Sequence, residues 1–279
     1  MRHCILMTAY KSTSVPVINR FISHLPKDWA IYIHVDKKSD ISISSIDSRA
    51  HVYSLFKIYW GGKEHLDAML ALLKEASHSS EVFDYYHILS GEDYWCCRPE
   101  DFDKYFSSPH SYLYIHRLPW NGWFRGGYEL LQYKQLASFG DVRKGVMSWL
   151  NRAVKWTQKL LGIKQPLPNY PLFCNVVGWS LHRSAVEVVL NSEISADLER
   201  RMKNTLDSEE LFFATVLMNS HIKESIINTP HRYVDWSSVP APKVLGYDDL
   251  DTALASDAVF CRKVASVELA SEIDRRLGL

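Results

Sequence analysis

The chain has 279 residues, enough for one large or two modest domains with a sizeable core. Lys plus Arg and Asp plus Glu are each 32, so net charge is near zero and the basic excess of a nucleic-acid-binding protein is absent. A hydrophobic fraction of 47% with 23% charged residues is ordinary for a soluble globular protein.

The run Cys4-Ile5-Leu6-Met7 is far too short for a membrane span, and no later stretch reaches that length, so neither a signal peptide nor an anchor is expected. Cys4 to Tyr10 reads as a buried strand. Val15 to Leu25 reads as a helix, with Pro16 in its first turn and Pro26 beyond its end. Ala30 to Val35 is a second strand ending in Asp36, and His51 to Ile58 a third that runs into Tyr59-Trp60-Gly61-Gly62. A helix over Lys63 to Ala76 follows. Phe83 to Leu89 is a fourth strand, ending at Ser90-Gly91-Glu92-Asp93-Tyr94. Strands alternating with helices predict a parallel sheet covered on both faces, with ligands at the carboxyl ends of the strands.

From about Ser107 the character changes. Tyr112 to His116 is a short strand, and the loop from Leu118 to Glu129 is rich in Gly and Trp. That loop either lines a cleft or is an irregular connection. Val142 to Lys164 is a basic amphipathic helix, with Val146, Trp149, Leu150, Ala153, Trp156, Leu160 and Leu161 on one face. It lies on an anionic membrane surface, or grips a lipid-linked acceptor, or is a solvated surface helix packed on the domain. Asn175 to Arg183 is strand-like and feeds a helix through Leu190. Five cysteines (Cys4, Cys96, Cys97, Cys174 and Cys261) are odd in number and lack metal-ligand spacing, so reduced, mostly buried thiols of a cytosolic protein are expected. No repeat or linker divides the chain. One elaborated α/β domain is expected, with residues 1–106 binding nucleotide and residues 107–279 supplying acceptor binding and catalysis.

The stretch Asp207-Ser208-Glu209-Glu210-Leu211-Phe212-Phe213 stands out. Asp207 is placed to cap a helix with its side chain, leaving Glu209 and Glu210 in the first turn, where the helix dipole favours acids. Phe212, Phe213, Val216 and Leu217 would bury that end of the helix. A carboxylate at the rim of a packed core loses solvation, its pKa moves toward neutral, and it suits general-base work. An ordinary acidic first turn reads the same from this stretch alone.

Taken in order, Tyr59-Trp60-Gly61-Gly62, Phe83 to Tyr94, Gly178-Trp179-Ser180-Leu181, Glu209-Glu210-Leu211-Phe212-Phe213 and Phe260-Cys261-Arg262-Lys263 resemble glycosyltransferase family 14. This is the family of core-2/I-branching β-1,6-N-acetylglucosaminyltransferases and peptide O-xylosyltransferases. The resemblance runs from His34 to Lys263. It implies an α/β, GT-A-like (Rossmann-like) fold with a mixed, mostly parallel sheet. It also implies inverting transfer of a sugar from a UDP-sugar to an acceptor hydroxyl.

The second member of the family's acidic pair is its general base, which corresponds to Glu210; the first, usually Asp, is Glu209 here. The resemblance also implies that basic side chains, rather than a metal, neutralise the leaving diphosphate. Lys263 and Arg232 match that role, with Arg262 the alternative to Lys263. No cofactor is expected beyond the donor substrate. Asp249-Leu250-Asp251 has the Asp-x-Asp spacing of a metal motif, and it reads instead as a helix-capping turn.

His34, Val35, Asp36, Tyr59, Trp60 and Gly61 are placed to meet the nucleotide. Glu92, Asp93, Trp120, Trp123, Arg125, Glu129, Trp179, Glu209 and Trp236 are candidates for the sugar cleft, since indole faces stack on sugars. N-acetylglucosamine is the leading donor and xylose the second. The chain is similar to a compact bacterial member working on the cytoplasmic side, at or near the inner face of the membrane, on a glycan or lipid-linked oligosaccharide. Rival readings are a metal-dependent transferase using Asp249 and Asp251, a silent nucleotide-sugar-binding protein, and a membrane-binding protein centred on residues 142–164.

Overall fold

The computed structural model describes residues 1–238 and 241–279, with all their side chains except those of Phe124 and Val177. In chain order its regular elements begin with β1 (His3–Ala9), α1 (Val15–Ser23), β2 (Ala30–Val35), β3 (Ala50–Tyr53) and α2 (Glu64–Ser77). There follow β4 (Tyr85–Ser90), β5 (Asp93–Trp95), β6 (Ser111–Arg117), α3 (Tyr128–Gln132) and α4 (Gly145–Leu160). Next come β7 (Phe173–His182), α5 (Arg183–Asn191), α6 (Glu193–Arg201) and α7 (Ser208–Met218). The chain closes with β8 (Ile226–Ile227), β9 (Arg232–Val234), α8 (Leu250–Leu254), β10 (Phe260–Arg262) and α9 (Val267–Leu277).

The main sheet has the order β3-β2-β1-β4-β7-β6-β8. Strands β3, β2, β1 and β4 run parallel, while β7 is antiparallel to both β4 and β6. This is the mixed, mostly parallel α/β sheet expected. All seven residues of β1 are buried, as an apolar run flanked by strands and covered on both faces must be. Strands from both halves of the chain share the sheet. A smaller sheet, β5-β10-β9, lies beside α1 and α9.

Two cores sandwich the main sheet. One gathers Phe21, Trp95, Phe102, Phe260 and Ile273 under α1, α9 and the small sheet. The other gathers Leu70, Leu73, Trp179, Phe212 and Phe213 under α2, α5 and α7. Helix α7 is apolar on every side, and Leu211 through Leu217 are all buried, as a helix without a polar face must be.

Several expectations need correction. The third strand ends at Tyr53 instead of Ile58, because the next residues leave the ladder for side-chain acceptors. Leu55 and Phe56 both donate their N–H to His34 Nε2 at 3.1 Å, and Ile58 donates to Asp36 Oδ1 at 3.1 Å. The helix expected over 142–164 is confined to Gly145–Leu160. Helices α6 and α9 were not anticipated, although α9 carries ordinary signals. Ser266 accepts from the Leu269 N–H at one end, and Gly278 adopts a left-handed cap at the other.

Candidate active site

Strands β1, β2 and β4 end along one edge at Ala9, Val35 and Ser90. The loops beyond them form the wall of a cleft of about 1010 Å³. The start of α7 lines the same cleft. An open α/β sheet places its ligand crevice at this edge.

Asp207, Glu209 and Glu210 all face the cleft. The side-chain cap expected of Asp207 is absent. Its backbone is left-handed (φ 52°, ψ 44°), not the extended conformation of a capping residue, so its carboxylate turns away from the first-turn N–H groups. Its main chain still opens the helix, since the Glu210 N–H donates to the Asp207 carbonyl at 3.2 Å. Burial, followed by the Glu209 carboxylate, pushes the Asp207 carboxyl up to about 8. Burial, then Asp207 and Glu209, push Glu210 well above the ordinary carboxylate range, and Arg262 partly opposes this. Glu209 is held differently. Its Oε1 lies 2.9 Å from His65 Nδ1, and His65 Nε2 lies 3.4 Å from Thr8 Oγ1, which ties α7 to the end of β1.

Of the three expected cations, Arg262 faces the cleft. Residues Arg262 and Asp93 are register partners in the small sheet, with Arg262 Nε 3.9 Å from Asp93 Oδ1. Asp93 is fixed in turn by the Ser90 N–H at 2.7 Å. The buried Arg262 Nε has no hydrogen-bond partner among the described residues. Lys263 lies behind this wall, 3.7 Å from Glu92. Burial would raise the Glu92 carboxyl, but Lys11 at 2.7 Å, Lys263 and Tyr10 outweigh it and hold the group below its usual range. Arg232 is absorbed into the protein. It donates to the Trp179 carbonyl at 3.0 Å and to Ser180 Oγ at 3.1 Å, and its guanidinium lies 4.6 Å from the Phe260 ring centroid. Burial first of all lowers the Arg232 pKa to about 9.

Of the residues expected to meet the nucleotide, Asp36, Tyr59, Trp60 and Gly61 line the cleft. His34 and Val35 are buried beneath it. His34 spends its Nε2 on the backbone of Leu55 and Phe56, and burial lowers its pKa to about 4, so it is a neutral acceptor. Asp36 Oδ1 accepts from the Lys38 N–H at 2.9 Å as well as from Ile58, so it organises the loop that it faces.

Among the sugar-cleft candidates, Trp120, Trp123 and Trp236 face the cavity. Trp120 stacks on His116 with ring centroids 4.0 Å apart. Trp179 does not face the cavity. At the irregularity in β7, Gly178 turns to the cleft with φ +91°, and its neighbour points to the opposite face, where Trp179 packs on Phe213 in the core. Glu129 belongs to an ion cluster with Arg125, Lys155 and Lys159 at 2.7, 2.9 and 2.7 Å. Burial opposes ionisation there, but Lys159, Lys155 and Arg125 bring its pKa to about 2. Asp249 accepts from the Gly246 N–H at 2.8 Å and from Lys243 Nζ at 2.6 Å, while Asp251 pairs with Arg276 at 2.5 Å. Both lie off the cleft.

Sequence reasoning missed His65, Lys38 and Arg143, which also line the cavity, and it gave Asp207 only a capping role. Arg143 lies 5.0 Å from the Trp60 ring centroid. Nothing in the spacing of these residues marked them, because the fold brings them together from separate parts of the chain: Lys38 after β2, His65 in the first turn of α2 and Arg143 ahead of α4.

A mostly parallel α/β sheet with a cleft at its carboxyl edge, lined by Asp207, Glu209, Glu210 and Arg262, has the ligand crevice of an open α/β fold. A family model described as core-2/I-branching enzyme matches residues 5–255, and the chain belongs to that family of glycosyltransferases. Membership implies a nucleotide-sugar donor and a glycan acceptor. No curated protein matches the chain. Among solved structures, mouse xyloside xylosyltransferase 1 in its apo form is similar at 11% identity, over 94% of this chain and 97% of that one, with a TM-score of 0.38. HddC from Yersinia pseudotuberculosis is similar at 8% identity, over 67% of this chain and 79% of that one, with a TM-score of 0.31. Neither likeness is close enough to carry an argument about activity.

Proposed function

We propose that this glycosyltransferase is an inverting, metal-independent enzyme that moves a sugar from a UDP-sugar to a glycan hydroxyl, with Glu210 as general base. N-acetylglucosamine is the leading donor and xylose the second. The acceptor is a lipid-linked oligosaccharide met at the cytoplasmic face of a membrane.

The observation that supports this reading best is the setting of Glu210. It stands in the first turn of α7, whose residues Leu211 to Leu217 are buried, on the wall of the cleft, with its pKa raised by burial and by two neighbouring carboxylates. A carboxylate of raised pKa is a stronger base once ionised than an ordinary glutamate. In the reaction the acceptor oxygen forms a bond to the anomeric carbon while the bond from that carbon to the diphosphate oxygen breaks. The acceptor proton passes to Glu210, and the electron pair of the broken bond leaves with UDP. Direct displacement needs one base and no covalent carboxylate, and it inverts the anomeric centre to give a β-linkage.

Negative charge then grows on the diphosphate. Arg262 fits that task first, since of these three cations it is the one that lines the cleft, with its Nε 3.9 Å from Asp93. Lys263 and Arg232 remain proposals for the same charge, each starting from an internal partner. Trp120, Trp123 and Trp236 would offer faces for sugar rings.

UDP release from a panel of UDP-sugars, in EDTA and with crude bacterial glycolipid as acceptor, tests the reading. EDTA-resistant turnover with one donor supports it. Turnover that requires a divalent cation contradicts the metal-free mechanism. UDP binding without turnover, unaffected by Glu210→Gln, returns the silent binding protein.

A further inference from the structure

Helix α4 is amphipathic, but it is mounted with its polar face inward. The buried Asn151 accepts the Leu136 N–H at 2.8 Å and donates to Gln135 Oε1 at 3.2 Å. Gln158 accepts the Lys134 N–H at 2.9 Å and donates to the Lys134 carbonyl at 2.8 Å. Lys155 and Lys159 close on Glu129. The apolar stripe faces outward instead. Trp149 and Trp156 are each 65% exposed, Val146 and Leu160 also stand in solvent, and the stripe continues into Leu161 and Ile163. A surface helix normally does the reverse.

We infer that this face docks on the surface of an anionic lipid bilayer, with α4 lying in the headgroup plane. Charge selects this occupant. Residues 142–164 carry six Lys and Arg and no Asp or Glu. Lys144, Arg152 and Lys164 are exposed around the apolar stripe. That is the pattern of an interfacial helix: tryptophans at the boundary, aliphatics below them and cations toward anionic headgroups. A second copy of the chain fits poorly. A two-fold contact through the stripe would bring the same cations toward each other, with no carboxylate in the segment to answer them. The helix lies on the bilayer and does not cross it. Sixteen residues span about 24 Å, short of a hydrocarbon core of about 30 Å, and Arg152, Lys155 and Lys159 punctuate them.

The docking face runs into the cleft. Asp141 and Arg143, just ahead of α4, line the cavity. A docked helix therefore brings the cleft mouth to the headgroups, where a lipid-linked acceptor would be presented, a consequence that rests on the glycosyltransferase reading.

The test is flotation of the full chain with vesicles of phosphatidylethanolamine and phosphatidylglycerol, against vesicles of phosphatidylcholine alone. Two sets of substitutions accompany the wild type: Trp149→Ser with Trp156→Ser, and Lys144→Glu with Arg152→Glu and Lys164→Glu. The wild type should float with the anionic vesicles, and each set should lower that binding by about tenfold or more. Sedimentation without lipid, and UDP-sugar hydrolysis in solution by the tryptophan variant, should match wild type, which shows that the variants are folded. Wild type that stays off anionic vesicles overturns the inference, as does flotation indifferent to both sets. A dimer that the tryptophan changes dissolve also overturns it. Flotation by a protein that proves unable to turn over any donor would leave the inference standing and refute the proposed activity.

Discussion

Asp207 donates its backbone N–H to the Gly61 carbonyl at 2.9 Å, and its Oδ1 lies 2.8 Å from where a Cβ on Gly61 would stand. The loop that carries Gly61 and the acidic mouth of α7 are thus one construction. Gly61 has φ +68°, a conformation that strains any L side chain. Gly61→Ala should cost roughly 1–2 kcal/mol, lower the melting temperature by about 2–5 °C, and reduce turnover by displacing Asp207 from Glu210. Thermal unfolding and initial rates check this. Wild-type values of both would show that the contact is incidental.

The raised carboxyls make stability fall with pH. Asp207 holds its proton up to about 8 in the folded chain, whereas the unfolded carboxyl ionises near 3.8. Between those values the unfolded state has released a proton that the folded state keeps, so stability drops as pH rises. Asp207→Asn removes that loss. Denaturant unfolding should show the variant gaining on wild type from mildly acidic pH to about pH 8, by at most ~1.4 kcal/mol per pH unit. Parallel pH profiles would contradict the assignment.

The same coupling should appear in the rate. The ascending limb of kcat/KM should lie above the ordinary glutamate range, because Glu210 must lose its proton to act and its neighbours hold that proton on. Asp207→Asn removes one of those neighbours and should move the limb to lower pH. Arg262→Gln removes the opposing positive charge and should move it higher. A limb that neither change shifts would mean that another group titrates in the profile.

Arg262 and Lys263 are adjacent, yet they differ in function in this account. Arg262→Gln should reduce kcat by about 10²–10³-fold, as the loss of a donor aimed at developing charge does. Lys263→Gln should do less, since Lys263 is engaged with Glu92 behind the cleft wall. Steady-state kinetics of the two variants decide the order, and the reverse order would restore Lys263 as the principal cation.

The course of the sheet was legible in the sequence because its signals are local. Short apolar runs such as Cys4-Ile5-Leu6-Met7 read as buried strands, and α1 has Pro16 in its first turn and Pro26 beyond its end. The acidic pair before Leu211 was legible for the same reason. What escaped depended on distant partners. Ile58 looks like strand, but its N–H goes to Asp36, more than twenty residues earlier. Trp179 resembles a sugar platform until the turn at Gly178 sends it into the core. Glu129 resembles a cleft acid until the ends of Lys155 and Lys159 close on it. The periodicity of residues 142–164 gave the stripe but not its direction, which is set by Gln135, Lys134 and Glu129 outside the helix.

Transfer of the acceptor proton to Glu210 is tested most directly by the initial transfer rate of Glu210→Gln, in EDTA, measured alongside its affinity for UDP. The rate should fall by about 10²–10⁴-fold with UDP affinity close to that of wild type. A variant that retains its rate would contradict that transfer.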